Sequence, residues 1–203
     1  AAGGYWLAVG DGNTTRIRVY SATNSWTQIG GTVNMLGDEQ FWPSVAEQNG
    51  APVVSWTRFP QSTGDILAAS WNGTSWNALG AQVNSGVSLR SRSRVSDAGQ
   101  HYVVFDDDDR VRVRRYQAGW VDVGAPIGPL GTVEGHLAID GAGRPTVGAV
   151  QRTDPGSPDI VTTYRFDGAA WQSLGIVDPD PARWTDNPQI HRAGTQTYLV
   201  VTE

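Results

Sequence analysis

The stretch Ser75-Trp76-Asn77-Ala78-Leu79-Gly80 decides the fold, because the chain contains it in four versions. The other three are Ser25-Trp26-Thr27-Gln28-Ile29-Gly30, Gly119-Trp120-Val121-Asp122-Val123-Gly124 and Ala170-Trp171-Gln172-Ser173-Leu174-Gly175. Successive tryptophans of these phrases are separated by 50, 44 and 51 residues. A repeat of this length indicates a propeller, a solenoid or an array of small units rather than one mixed domain.

Each repeat is predicted to contain four short strands. The most complete unit has apolar stretches at 44–47, 52–56 and 66–71 and ends on the tryptophan phrase. Asn49-Gly50 and Asn72-Gly73 separate these stretches, and both residue types tolerate the positive φ that tight hairpin turns need. The same plan recurs from 94 to 124 and from 137 to 175. Four antiparallel strands at this period are typical of a propeller blade.

An aromatic residue precedes the third turn of each complete repeat: Trp71, Tyr116 and Phe166. We expect this residue to face the repeat's tryptophan across the hairpin, because cross-strand aromatic pairs stabilise a sheet edge. Most of the tryptophans are therefore interpreted as structural.

Units that run from an apolar strand through Gly50-Ala51-Pro52 to Trp71-Asn72-Gly73, followed by the tryptophan phrase, resemble a known class of protein. They are similar to the blades of secreted bacterial β-propeller repeat proteins of the kelch, sialidase and lectin type. The resemblance covers nearly the whole chain and implies a secreted or cell-surface location. It specifies blade architecture far better than it specifies activity.

The sequence thus predicts one all-β domain over residues 1–203, a β-propeller of about four blades, each of four antiparallel strands. The expected boundaries are a partial blade at 1–34, blades at 41–83, 88–127 and 132–177, and closing strands at 186–203. One strand that is equivalent to the second strand of a blade is then left over. Three readings stay open: a four-bladed ring with a displaced end, a fragment of a larger ring, and a subunit of a homo-oligomer whose end strand completes a partner's blade.

The composition limits the classes of partner. A net charge of −5 offers no basic surface for nucleic acid, and no stretch approaches the ~20 apolar residues of a membrane-spanning helix. The absence of cysteine excludes disulfides and thiolate metal sites. Arginines cluster at 90–94 and 110–115. They are interpreted as solvated strand faces, with a small anionic ligand as the alternative.

The loops that enter the innermost strands are expected to line one mouth of the central channel. They contain the candidate ligand-binding residues Trp42, Arg90, Glu134, Trp184, Asp186 and Asn187. An aromatic platform with convergent hydrogen-bonding groups suits a sugar ring or another small polar ligand. The alternative is that both tryptophans only wedge between blades.

No cofactor is expected, apart from a calcium hypothesis at Asp106-Asp107-Asp108-Asp109. This run lacks the spacing that wraps a loop around the ion, so a solvated loop is the competing interpretation. No catalytic constellation is identified. Glu134 and Asp186 are the one pair of carboxylates expected at the same mouth, in the roles of acid and base.

The leading functional prediction is a non-catalytic extracellular recognition module that binds carbohydrate as lectins do. One alternative is a glycan-active hydrolase or an accessory fragment of one. The other is a structural protein-interaction scaffold.

Overall fold

The computed structural model describes residues 5–10, 16–22, 25–33, 39–59, 64–95, 99–152, 159–177, 186–193 and 196–202. Within these ranges the regular structure is strand, and no helix is long and apolar enough to cross a membrane. In chain order, the strands are β1 (Tyr5–Gly10), β2 (Ile17–Ala22), β3 (Trp26–Gln28), β4 (Glu39–Gln48), β5 (Ala51–Phe59), β6 (Asp65–Trp71), β7 (Trp76–Ala78), β8 (Ser88–Val95), β9 (His101–Asp107), β10 (Arg110–Tyr116), β11 (Trp120–Asp122), β12 (Thr132–Ile139), β13 (Pro145–Gln151), β14 (Ile160–Phe166), β15 (Trp171–Ile176), β16 (Asp186–Ala193) and β17 (Gln196–Thr202).

Consecutive strands pair antiparallel as meanders. We name these units the first sheet (β1–β3), the second blade (β4–β7), the third blade (β8–β11), the fourth blade (β12–β15) and the end hairpin (β16–β17). A single parallel bridge between Arg110 and Thr132 joins the third blade to the fourth. The predicted all-β fold with four-stranded antiparallel blades is confirmed.

The apolar core is divided into layers between successive units. One cluster, including Ile17 and Val54, lies between the first sheet and the second blade. Ile66 and Phe105 belong to the layer between the second and third blades. The remaining two layers follow the same order: Val111, Val113, Leu137 and Val147 between the third and fourth blades, and Val133, Val150, Val161, Leu199 and Val201 between the fourth blade and the end hairpin.

The two Asn-Gly turns differ in conformation. Asn49 and Gly50 have φ values of 53° and 78°, as the tight hairpin prediction requires. In the loop from Asn72 to Ser75 only Gly73 has a positive φ, of 100°. Here the Asn72 side-chain oxygen accepts hydrogen bonds from the amides of Thr74 (2.9 Å) and Ser75 (2.8 Å). The side chain therefore closes a longer turn, a use of asparagine that the dipeptide alone does not distinguish.

The cross-hairpin aromatic pairs form as predicted. Ring centroids are 5.3 Å apart for Trp71 and Trp76, 5.2 Å for Tyr116 and Trp120, and 5.4 Å for Phe166 and Trp171. Because the rings meet edge-on or tilted, these pairs add to the stability that their burial provides.

Each of these tryptophans also reaches the preceding unit. Its indole Nε1–H donates to the backbone carbonyl that stands just before the glycine of the preceding phrase. The bonds are Trp76 to Ile29 (3.4 Å), Trp120 to Leu79 (2.7 Å) and Trp171 to Val123 (2.7 Å). We call this arrangement of aromatic pair, carbonyl and glycine the aromatic joint. It recurs at three successive interfaces.

The glycine of the phrase is required by the joint. Gly124 has a φ of +72°, and a Cβ added there would lie 2.9 Å from the Phe166 ring and 3.1 Å from the Trp171 Nε1 atom. The positive φ disfavours any L side chain, and the aromatic pair of the next blade occupies the space. Both constraints also act at Gly30, whereas at Gly80 the added Cβ would lie 3.6 Å from Trp120, so there the φ of +74° is what favours glycine.

His101 is buried at the start of β9 and lies edge-on to Trp120, with ring centroids 5.5 Å apart. Burial disfavours the charged imidazolium and lowers the pKa of His101 from 6.5 to about 4. In the folded protein this histidine is therefore neutral over the physiological range.

We expect Gly124→Ala to destabilise the fold by about 2 kcal/mol or more, since it combines an unfavourable φ with a steric clash. Gly175→Ala is the matched control, because Gly175 has a φ of +108° but no atom within 4 Å of the added Cβ. Urea unfolding of both variants measures the difference. Equal losses would mean that contact with the next blade contributes nothing.

Acid should destabilise the protein through His101. Below pH 6.5 the unfolded chain binds a proton that the folded state refuses until about pH 4, so stability falls across that window by up to about 3 kcal/mol. Chemical unfolding of His101→Gln between pH 7 and pH 4 should show a shallower decline. Parallel curves for the native protein and His101→Gln would contradict the assignment.

Candidate functional site

The strands β4, β8, β12 and β16 form the inner edge of the successive units, since β4 contacts β8, β8 contacts β12 and β12 contacts β16. Each of these inner strands has a β-bulge near its start. The bulged pairs are Trp42–Pro43, Arg90–Ser91, Glu134–Gly135 and Asn187–Pro188. Bulges redirect side chains and occur often beside binding sites. Four of the six predicted site residues are thus the first residue of an equivalent bulge.

For the five predicted site residues that the structure describes, the prediction that they lie in loops is wrong. Trp42 lies inside β4, Arg90 inside β8 and Glu134 inside β12, and Asp186 and Asn187 begin β16. An extra residue in one strand breaks the alternation of buried and exposed side chains. Without that alternation, the strand cannot be recognised by its period of two.

Two bulges hold large side chains in the left-handed region of φ. Trp42 has a φ of 48° and Glu134 a φ of 56°. This conformation costs roughly 1–2 kcal/mol for an L residue, and glycine usually occupies it in such bulges. Backbone strain of this kind concentrates at functional positions.

Trp42 belongs to a small aromatic cluster. Its ring centroid lies 5.6 Å from that of Phe41 and 5.9 Å from that of Phe59. The indole is nevertheless 37% exposed, so part of it faces outward. The cluster supports the ring on one side and leaves surface available for contact.

Glu134 forms an ion pair with Arg152, with 3.4 Å between the carboxylate oxygen and the guanidinium nitrogen. The Arg152 side chain is 53% exposed, so the pair contributes little to stability. The neighbouring Gly135 packs against β10, where an added Cβ would lie 2.6 Å from Val111 Cγ1. This close approach positions the bulge and the carboxylate before it.

The other predicted residues are described less fully. Trp184 lies outside the described residues. For Arg90, Asp186 and Asn187 the structure describes the backbone, which places each at the bulged end of an inner strand.

A cavity of about 390 Å³ lies where the inner strands converge with β1. We call it the central cavity. Its polar wall consists of the residues that directly follow the bulges: Ser44, Arg92, His136 and Gln189. Trp6 of β1 and His191 of β16 also line it, together with apolar residues of β1 and β4. The indole Nε1–H of Trp6 donates to Glu47 Oε2 at 3.0 Å, which orients the ring.

Sequence reasoning missed these lining residues. Ser44, Arg92, His136 and Gln189 each stand two positions after the first residue of a bulge, a regularity that becomes visible only once the bulges are known. Trp6 was missed for another reason. It belongs to the partial blade at 1–34, in which no candidate site residue was predicted from the sequence.

The acidic run begins inside β9, which contains Asp106 and Asp107, and ends in the turn that leads to β10. Asp107 forms an ion pair with Arg112 (2.9 Å) and accepts a hydrogen bond from the Ser88 hydroxyl (2.8 Å). Asp108 and Asp109 form the turn, with φ values of 49° and 56°. In the described part of the chain, no three or more Asp, Glu, His or Cys side chains lie close enough together to hold a metal ion.

No protein-family model matches the sequence, and no curated protein matches it either. Several solved structures share the fold. The endo-arabinase from Bacteroides thetaiotaomicron VPI-5482 is 14% identical over 98% of this chain and 89% of its own, with a TM-score of 0.56. A thermostable family-43 glycoside hydrolase is 11% identical over 99% of this chain and 80% of its own, with a TM-score of 0.60.

A polysaccharide lyase of family PL25, an ulvan lyase, is 11% identical over 96% of this chain, with a TM-score of 0.63. This chain spans 58% of the length of the lyase. At such low identity the likeness concerns the fold alone, and these neighbours are β-propeller enzymes. By its fold, this chain is a β-propeller protein.

Proposed function

We propose that the protein is a non-catalytic extracellular recognition module that binds carbohydrate, as lectins do, in the central cavity. The observation that carries the proposal is the convergence of an aromatic ring, Trp6, with the polar side chains of Ser44, Arg92, His136 and Gln189. The solved structures of similar fold include an endo-arabinase and an ulvan lyase, which directs the choice of ligand class to glycans.

The chemistry of the cavity suits a sugar. An indole offers a flat apolar surface for the C–H face of a pyranose or furanose ring. The guanidinium of Arg92 and the amide of Gln189 donate hydrogen bonds to hydroxyl oxygens, and the hydroxyl of Ser44 and the imidazole of His136 both donate and accept them. A volume of about 390 Å³ falls in the range of small-ligand pockets.

The bulges supply the rim of the proposed site. In this proposal the rim consists of Trp42, Arg90, Glu134, Trp184, Asp186 and Asn187. The strain at Trp42 and Glu134 supports their inclusion, because glycine would satisfy the backbone at lower cost. Retaining a large indole and a carboxylate at positive φ indicates a use for those side chains.

The proposal includes a secreted or cell-surface location and association of copies through the terminal strand. The pairing of β17 supports the second point, since in the described part of the chain it pairs only with β16, and its residues Tyr198 and Val200 are exposed. An exposed strand edge with apolar side chains is prone to pairing with another chain.

A glycan hydrolase is the second candidate, because the endo-arabinase and the family-43 hydrolase have similar folds. Glu134 and Asp186 lie on the neighbouring inner strands β12 and β16. Glu134 is part of the bulge in β12, and Asp186 directly precedes the bulge in β16. Glycosidases use two carboxylates on either side of the scissile bond. In this alternative Glu134 and Asp186 are the acid and the base.

Trp6→Ala and Arg92→Gln should each weaken the binding of arabino-, xylo- or ulvan oligosaccharides by about tenfold or more, because each removes a contact worth at least ~1.4 kcal/mol. Isothermal titration calorimetry of each oligosaccharide measures the affinity, and circular dichroism checks the fold. Trp26→Ala is the matched control, since Trp26 is an exposed tryptophan that does not line the central cavity.

Native affinity in both Trp6→Ala and Arg92→Gln would exclude the central cavity as the site. Chromatography of the same oligosaccharides after incubation with the protein distinguishes a hydrolase from a non-catalytic lectin. Cleavage products that disappear in Glu134→Gln would establish a hydrolase. No binding and no cleavage of any probe would favour the scaffold.

The backbone strain at Glu134 predicts which of two substitutions gives the more stable protein. Glu134→Gly should be more stable than Glu134→Ala by about 1 kcal/mol, because only glycine relieves the positive φ. Urea unfolding measures the order of the two variants. At Thr27, an exposed strand residue without a positive φ, glycine should instead be the less stable substitution. If alanine were also the more stable choice at position 134, the conformation would not be strained.

A further inference from the structure

The aromatic joint has an uncovered acceptor half on the fourth blade. Leu174 and Gly175 occupy the positions that Leu79 and Gly80, or Val123 and Gly124, occupy in the earlier phrases. Leu79 is half-buried and Val123 is buried, whereas Leu174 is 52% exposed. Among the described residues, no atom lies within 4 Å of a Cβ added at Gly175.

The apolar surface continues on both sides of this acceptor. Ile176 and Val177 are 52% and 42% exposed. Next to Leu174, a pocket of about 330 Å³ opens between the fourth blade and the end hairpin. Ile190 and Leu199 line it together with the charged side chains of Asp140, Arg144 and Arg165. The surface therefore has depth, and it combines apolar residues with a charged margin.

An uncovered donor half lies on the first sheet. Trp26 begins the first phrase and is 54% exposed, whereas Trp76, Trp120 and Trp171 are partly buried in joints. Its cross-strand neighbour is Ala22, where the three joints have an aromatic residue. The indole of Trp26 is thus exposed to solvent. In every later repeat, the equivalent tryptophan docks on the preceding unit.

We propose that the Leu174–Gly175 acceptor of one copy of this chain receives Trp26 of a second copy. The occupant is inferred from continuity with an established interface, because the same contact joins successive units three times within the chain. The chain's own Trp26 does not occupy the acceptor, as the open space at Gly175 demonstrates. The inference does not depend on glycan binding.

Donor and acceptor lie on different surfaces of the chain. Two copies related by a twofold axis would each donate to the other and close as a dimer, whereas copies arranged head-to-tail would form a larger ring or an open array. The exposed edge of β17 lies beside the acceptor, so strand pairing between copies can accompany the insertion of the indole.

Size exclusion with light scattering, over a roughly 100-fold range of protein concentration, tests the contact. The native chain should shift from 21.8 kDa toward an integer multiple of that mass as concentration rises. Trp26→Ser and Ile176→Arg should each remain monomeric. Both positions are exposed, so neither change removes core packing. Leu130→Arg is the matched control, a charge placed on an exposed apolar residue of the β11–β12 connection, and should associate as the native chain does.

Mixing the two monomeric variants decides the geometry. Trp26→Ser keeps an intact acceptor and Ile176→Arg keeps an intact donor, so the mixture should form a dimer with one joint and no larger species. A native chain that stays monomeric throughout, association that persists in both variants, or a mixture that stays monomeric would each overturn the proposal. Because no sugar is present, the outcome is independent of the proposed lectin function.

Discussion

The hydrogen bond from an indole nitrogen to the carbonyl of the preceding unit is the interaction on which the rest of the structure depends. Trp76, Trp120 and Trp171 each make it while packed against an aromatic partner. It fixes the angle and distance between neighbouring sheets, because a directional bond and a rigid ring pair leave little freedom. The apolar layers between the sheets contribute most of the buried surface. Because apolar contact is not directional, it does not by itself fix the relative position of neighbouring sheets.

The position of the central cavity follows from that spacing. When the outer hairpins are held at regular intervals, the inner strands β4, β8 and β12 are brought side by side with their bulges in equivalent positions. Ser44, Arg92 and His136 then converge from separate units on one space. The repeated phrase at the periphery thus determines how the polar residues at the centre are positioned.

The architecture could be predicted from the sequence, and the site only in part. Four tryptophans at a regular period specify the blades because the joint is made by side chains whose identity is visible in the sequence. The bulges are a backbone property, and neither Trp42 nor Glu134 has the glycine that usually marks such a conformation. Sequence reasoning therefore placed in loops segments that are inner strands, and it named Arg90 and Glu134, whereas Arg92 and His136 line the central cavity. Trp6 depends on contacts between distant strands, which local patterns do not contain.

The bulges have a consequence for how this protein can change over evolution. Each wall of the central cavity comes from a different repeat, and within a repeat the wall residue is separated from the joint by the full width of the sheet. A substitution at position 44, 92, 136 or 189 therefore alters one side of the cavity without touching the contacts that align the sheets. The lining of the central cavity can diversify one wall at a time, in combinations, while the scaffold stays constant. Duplication of a repeat would supply an additional, independently variable wall.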